Sequence, residues 1–372
     1  MSAGPAGDVA TSGSPVRAVV ARAPGQPPRV ERITLPPVGP GQVRVGIRAA
    51  GVCHSDLSMT NGTITPEYPL VLGHEAAGEV LEVAAGVDRV APGDPVVLNW
   101  APPCRRCWYC QRDEPWLCER AGAASVPRGR TAAGEQLHVT LGLGALAEEV
   151  VVGEQAVVGV PVGLPYEVAA LLGCAVLTGT GAVRRTAGVR AGESVAVIGL
   201  GGVGLSVVAA ARAAGAAPVL AVDLAAAKAD LAVAAGATDF LIADASLTRA
   251  IRARTDGRGV DHAIECVGRA GTIRAAWRAT RRGGQVTVVG MGSADDTVGL
   301  SALEIFHSAR TLRSSVYGSS DPDRDLPALA RDLLAGDLDP AVLITDRTDL
   351  DGAAAAFARM ARGEGARTVV LP

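Results

Sequence analysis

Lysine is almost missing from this chain. Of its 35 basic residues only Lys228 is a lysine; the others are arginine. Net charge is nearly missing as well. The balance against 38 acidic residues is −3 over 372 residues, which gives no electrostatic basis for nucleic acid or an anionic membrane as the main partner. No apolar run reaches the ~20 residues that a bilayer requires, because Gly, Arg or Asp breaks each long candidate. The opening stretch MSAGPAGDVATSGSPV has no basic head followed by an apolar core, so it does not read as a secretory signal. It reads as a disordered extension over residues 1–14, and the expected location is the cytoplasm.

What remains is a composition able to fold, with 48% hydrophobic and 20% charged residues. The length suits about two domains. Seven cysteines are present, and four of them crowd into CRRCWYCQRDEPWLC as Cys104, Cys107, Cys110 and Cys118. Disulfides are rare in a reducing cytosol, and an odd cysteine number leaves one over in any pairing scheme. A redox dithiol would use two thiols beside a strand–helix turn. These four lie in a segment with Pro102, Pro103 and Pro115, which reads as a loop. Four thiolates suit tetrahedral zinc or an iron–sulfur cluster, and local spacing does not separate the two.

Three further stretches supply metal donors. GVCHSD contains Cys53, GHEAAGEV contains His74 and Glu75, and LLGCAV contains Cys174. Alone, such a histidine reads as structural, and such a cysteine as a small buried hydrophobe. Beside the four-cysteine lobe they read as a three-ligand zinc set that leaves a fourth position for water or substrate.

The stretch ESVAVIGLGGVGLSVVAAARAAG reads strand, tight turn, helix. Gly199, Gly201 and Gly204 form G-x-G-x-x-G, with Gly202 and Val203 inside it. Such glycines let a pyrophosphate approach the backbone at a helix N-terminus. A second strand, VLAVD, ends in Asp223, where a carboxylate accepts from the ribose hydroxyls and repels a 2′-phosphate; NAD is therefore expected. The competing reading of Asp223 is a helix N-cap. HAIECVG (262–268) and GGQVTVVG (283–290) continue the strand–helix alternation of a doubly wound parallel sheet, with Cys266 expected in a buried strand. The Gly-, Ala- and Arg-rich segment Glu119–Leu141 reads as a surface loop.

Taken in order, these motifs resemble the zinc-dependent medium-chain alcohol dehydrogenases from about residue 15 onward. GVCHSD, GHE, the lobe with cysteine spacings of three, three and eight, LLGC, GLGGVG and Asp223 carry the resemblance. It implies an α/β fold: a Rossmann doubly wound parallel sheet over 176–317, plus a mostly β, GroES-like catalytic domain over 15–175 and 318–372. It implies two zincs per chain, a structural one on the lobe cysteines and a catalytic one on Cys53, His74 and Cys174. The catalytic ion would act as a Lewis acid on the substrate oxygen while NAD takes the hydride.

The resemblance also assigns roles. Ser55 becomes the first proton acceptor, although it also suits a helix cap. Asp56 orients His74, and Glu75 is a transient ligand or electrostatic tuner. Ser58 stands where some members carry a histidine, which leaves the proton exit to water or the cofactor ribose. Trp100 lines the substrate pocket. His54 and Arg367 sit at the pyrophosphate, Thr178 and Val203 at the nicotinamide, Val289 at its carboxamide, and Lys228 at the adenosine ribose. A homodimer or homotetramer is implied, with 308–317 as a candidate edge strand. The substrate is a small-molecule alcohol or aldehyde. LGHEAAGEV, PVVLNW, LGLGALAEEVVV and LRSSVYGSSDPDRDLP look closest to the mycothiol-dependent formaldehyde dehydrogenases of actinobacteria, and arginine-only usage suits such a GC-rich genome. That alternative would act on an S-hydroxymethyl adduct, with Arg120, Arg128 and Arg130 as candidate anchors. A non-catalytic cofactor-binding protein is the third reading; the presence of all three catalytic ligands opposes it.

Overall fold

Alternation of buried and solvent-facing side chains shapes the first 160 residues. The computed structural model describes residues 14–336 and 338–372, so the expected extension lies, up to residue 13, outside the described residues. The strands of this region are β1 (Pro15–Ala21), β2 (Arg29–Thr34), β3 (Gln42–Gly51), β4 (Leu70–Val71), β5 (Ala76–Val83), β6 (Pro95–Leu98), β7 (Ser125–Thr131), β8 (Gln136–Thr140), β9 (Glu149–Gly153) and β10 (Val157–Gly159). In β3, Val43, Val45, Ile47 and Ala49 are buried while Arg44, Gly46 and Arg48 face the other side, the period-two pattern of a half-buried strand. Strands β1, β2, β7, β8 and β4 close into a barrel. Strands β10, β6, β5 and β3 form a second sheet, with β9 also on β3.

Two expectations are corrected here. Glu119–Leu141 is not simply a surface loop: β7 and β8 form an antiparallel hairpin within it that helps close the barrel. Leu137 and Val139 point into the barrel core, and this short alternation was masked by Gly and Arg. The second concerns apolar length. The helix Tyr166–Ala187 is long and apolar enough to cross a membrane by composition, yet 78% of its most apolar window is buried inside the fold.

The second region is a six-stranded parallel sheet. Its strands are β11 (Val195–Ile198), β12 (Val219–Asp223), β13 (Asp239–Ile242), β14 (Val260–Glu265), β15 (Thr280–Val288) and β16 (Thr311–Ser314), in the order β13-β12-β11-β14-β15-β16. All four residues of β11 are buried, as a strand covered on both faces requires. The order reverses between β11 and β14, and ligands bind outside the carboxyl ends of the strands at such a switch point. Cys266 is not in a strand: it follows β14 by one residue and is half-buried. The chain then returns. β17 (Ile344–Thr348) pairs with β18 (Arg367–Val370), and β18 joins β3 antiparallel, Val369 opposite Gly51. This pairing carries Arg367 to the start of the GVCHSD motif. The expected boundary at 175/176 falls inside the helix Tyr166–Ala187.

Candidate active site

Three elements deliver the metal donors. Cys53 precedes helix α1 (His54–Thr60) as its N-cap residue. His74 lies between β4 and β5. Cys174 sits in a π-helical turn, Leu172–Val176, of helix α2 (Tyr166–Ala187); such turns re-aim single residues at functional sites. The Cys53 and Cys174 sulfurs and a His74 ring nitrogen lie within 4.8 Å of one another, and all three residues are buried.

The spacing fits zinc. Zn–S near 2.3 Å and Zn–N near 2.0–2.1 Å put the sulfur and nitrogen corners of a tetrahedron about 3.6 Å apart. Cys174 Sγ and His74 Nε2 are 3.6 Å apart. Three protein donors leave one tetrahedral corner for another group.

A buried charge network backs this cluster. His74 Nδ1 lies 3.0 Å from Asp56 Oδ2, while Asp56 Oδ1 accepts the Gly73 N–H at 2.8 Å. Arg367 reaches Glu75 at 3.1 Å, donates to the Val52 carbonyl at 3.0 Å and points at Cys53 Sγ at 3.6 Å. The contacts to Asp56 and Glu75 are close but bent from the hydrogen-bond line, so both Glu75 oxygens remain buried without a donor. Gly51 makes room for this carboxylate, since a Cβ there would stand 2.4 Å from Glu75 Oε1. Burial raises Glu75 to about 7 against the opposing pull of Arg367. Burial would lower His74, but Asp56 and Cys53 together raise it well above the usual range. The contact with Cys174, then Arg367 and His74, hold Cys53 well below a free thiol despite burial.

The lobe makes a second cluster. Cys104, Cys107, Cys110 and Cys118 gather their sulfurs within 4.8 Å, and none of the seven cysteines forms a disulfide. Cys107 and Cys118 Sγ are 3.9 Å apart, against about 3.8 Å for two thiolates on tetrahedral zinc. Backbone N–H groups of Cys104 and Arg120 point at Cys118 Sγ.

The glycine-rich turn joins β11 to helix α3 (Gly202–Ala213). Gly204 could carry no side chain: a Cβ would stand 1.8 Å from the Gly199 carbonyl. Arg367 lies against Gly202, and its Nε is a buried donor without a partner, which suits an anionic group at this helix start. Asp223 accepts from Leu200 N at 2.8 Å and Ala225 N at 3.0 Å, and Lys228 Nζ stands 3.5 Å from it. Asp223 is no helix N-cap, because Ala225 holds that place.

Residues 39–162 match the alcohol dehydrogenase GroES-like domain family, and residues 202–335 match the zinc-binding dehydrogenase family. The chain is 35% identical to S-(hydroxymethyl)glutathione dehydrogenase of Escherichia coli, over 95% of this chain and 99% of that protein. It belongs to the zinc-dependent medium-chain alcohol dehydrogenases. Solved structures of similar shape include an alcohol dehydrogenase zinc-binding domain protein from Burkholderia ambifaria, with TM-score 0.90, 32% identity and coverage of 96% of this chain and 99% of that one. Benzyl alcohol dehydrogenase from Acinetobacter calcoaceticus gives 0.88 at 25% identity with the same coverage. A zinc-binding dehydrogenase from Sinorhizobium meliloti bound to NADP gives 0.82 at 27% identity, over 96% of this chain and all of that one.

The dehydrogenase is thus a zinc enzyme with a dinucleotide cofactor, and its two donor clusters fit one catalytic and one structural ion. Around them the remaining expected residues take definite places. His54 opens α1; burial, and then the charges of Arg367 and Lys228, hold its pKa down. Ser55 lies inside α1 and does not cap it, and its hydroxyl makes no hydrogen bond among the described residues. Thr178 lies in α2, which packs against the helix that carries Val203. The Val289 N–H is taken by the Glu265 carbonyl, so of its two backbone groups the carbonyl is the one left for a cofactor contact. Trp100 stands edge-on to His74, with centroids 6.5 Å apart.

Sequence reasoning missed Tyr317. Its ring packs at a tilt of 52° against Trp100, centroids 4.6 Å apart, and its hydroxyl donates to the Gly173 carbonyl at 2.7 Å, next to Cys174. It also missed Arg105, which ties the zinc lobe to Asp321 and Asp323. No local signal marks either residue, because both partners lie far away in sequence.

Proposed function

We propose that this dehydrogenase oxidises an alcohol to an aldehyde or ketone with NAD, using Ser55 as the first proton acceptor. The observation that carries the reading is the buried Cys53–His74–Cys174 triangle, linked to the Gly199–Gly204 turn by Arg367, which meets both Cys53 and Gly202. When bound, zinc supplies Lewis-acid polarisation of the substrate oxygen and NAD accepts the hydride. Asp56 fixes the His74 ring, which keeps Nε2 facing the other donors. Glu75 and Arg367 set the local charge, and Trp100, braced by Tyr317, narrows the space beside His74. When NAD is bound, Arg367 and His54 would hold the pyrophosphate, and Thr178, Val203 and Val289 would flank the nicotinamide. Asp223, with Lys228, selects the unphosphorylated ribose. With Ser58 in place of a histidine, this chain supplies no imidazole three residues after Ser55, and the proton would pass to water or, with cofactor bound, to its ribose.

The thiol-adduct reading has one observation in its favour, the glutathione-linked name of a 35% identical relative. Against its arginine anchors, Arg128 and Arg130 line a cavity that shares no lining residue with the catalytic triangle. We further propose a homo-oligomer in the cytoplasm. Support comes from seven unpaired thiols and from the edge strand β16, exposed along its whole length beside exposed Phe306 and Val316. The deciding experiment is NADH formation by the zinc-loaded enzyme with aliphatic alcohols, benzyl alcohol, and formaldehyde with and without mycothiol. Alcohol turnover indifferent to thiol supports the proposal. Strictly mycothiol-dependent turnover with inert alcohols replaces it by the adduct reading.

A further inference from the structure

The GroES-like barrel carries a cavity of about 490 Å³ where the segment after β2 meets the β7–β8 hairpin. Leu35, Pro36, Pro37 and Pro127 supply rigid apolar walls, and Arg128 and Arg130 supply the charge. Many arginines of this chain lack an acidic partner among the described residues, but Arg128 combines that lack with a buried Nε that meets no acceptor. Arg44, at a comparable depth, is matched by Glu82 and Glu149, and Arg22 by Glu31 and Glu135. Among the described residues no carboxylate pairs with Arg128 or Arg130. Arg128 is half-buried; its Nη1 donates to the Val151 carbonyl and its Nε is buried with no partner at all. Arg130 donates to the Gly134 carbonyl and is otherwise exposed.

A guanidinium taken partly out of water without a counter-charge is unfavourable unless an anion completes it. Its planar fork suits a carboxylate or phosphate held through two parallel bonds. Gln136, also at the rim, spends its amide on the Gly129 and Leu137 carbonyls and so leaves anion recognition to the arginines. We propose that this cavity binds a small organic anion, a carboxylate or phosphate group on an apolar body, with Arg128 as the principal anchor and Arg130 at the rim. The apolar body lies against the prolines. The site is separate from the catalytic triangle and the glycine-rich turn, none of whose residues line it.

The test is calorimetric titration of the zinc-loaded, NADH-saturated enzyme with benzoate and with inorganic phosphate, run on wild type, Arg128→Met, Arg128→Lys and Arg130→Met. Binding that Arg128→Met weakens by about tenfold or more, that Arg128→Lys restores in part, and that leaves alcohol turnover without probe unchanged, supports the site. A preference for benzoate identifies a carboxylate ligand with an apolar body; a preference for phosphate identifies a phosphate group. Arg130→Met alters only the rim, so a smaller loss there upholds the proposal even if Arg128→Met fails to fold. No binding of either probe at millimolar concentration overturns it, as does binding indifferent to both arginines.

Discussion

Asp56→Asn tests the reasoning about the catalytic zinc most directly. The wild-type carboxylate is fully buried and divides its oxygens, one to Gly73 N at 2.8 Å and one to His74 Nδ1 at 3.0 Å. An amide has one oxygen, so it cannot accept from both. If the oxygen stays on Gly73, the amide N–H faces Nδ1 and forces the ring proton to Nε2, the nitrogen that faces the Cys174 sulfur. If the amide flips, its N–H meets the Gly73 N–H. Hydrogen bonds to charged groups contribute about 1.5–3 kcal/mol. The bend of the His74 contact argues for the lower half of that range, about 2 kcal/mol. That corresponds to about 30-fold weaker zinc at this site, within the 10–100-fold span typical of residues that orient a metal ligand. The assay is competition with a graded chelator, counting zinc per chain, with the lobe site as internal control. Expected is early loss of one zinc and retention of the other, with activity lost in step with the first. Equal release of both ions, or catalytic-site affinity unchanged within threefold, would refute the assignment of Asp56.

Three further outcomes follow. Arg367→Met removes the counter-charge of a carboxyl already raised to about 7, so Glu75 takes up a proton; the electrostatic cost should stay under about 1 kcal/mol at pH 7 and grow as pH rises above that value, and Arg367→Met/Glu75→Gln should abolish the pH dependence; denaturant melts of the three proteins at pH 6 and pH 9 check this. Gly204→Ala places a methyl 1.8 Å from the Gly199 carbonyl, so the turn must open, and NADH fluorescence titration should show binding reduced at least tenfold, about 1.4 kcal/mol or more. In Asp261, burial favours the neutral acid, but hydrogen bonds from Ser194 and Arg281 outweigh it and hold the group at about 2. A depressed carboxylate contributes stability above its unfolded value, near 3.9, and loses it as pH falls through about 2. Ser194→Ala should therefore lower stability by about 1 kcal/mol at neutral pH after allowance for the group's exposure, and the deficit should vanish near pH 2 in thermal melts.

Chemistry written within a short stretch of chain was legible without the fold. The four lobe cysteines lie within fifteen residues, so their loop can gather them whatever the distant packing, and the structure brings them together. The turn Gly199–Gly204 is equally local, because the carbonyl that forbids a side chain at Gly204 belongs to the same turn. Strand β11 announces itself by an unbroken β-branched and small apolar run. The hairpin in 119–141 was less legible, since its alternation is short and its pairing depends on the barrel that it closes.

Local order along the chain thus supplies the inventory: zinc donors, a dinucleotide turn, an acidic strand end, and two folding units to hold them. Tertiary structure decided who meets whom. Cys174 reaches His74 across 100 residues of chain, and Arg367 reaches Cys53 across 314, delivered by the pairing of β18 with β3. Tyr317 crosses 144 residues to brace the turn that holds Cys174. Such contacts arise from the burial of whole faces against one another, and no local pattern encodes which faces those are.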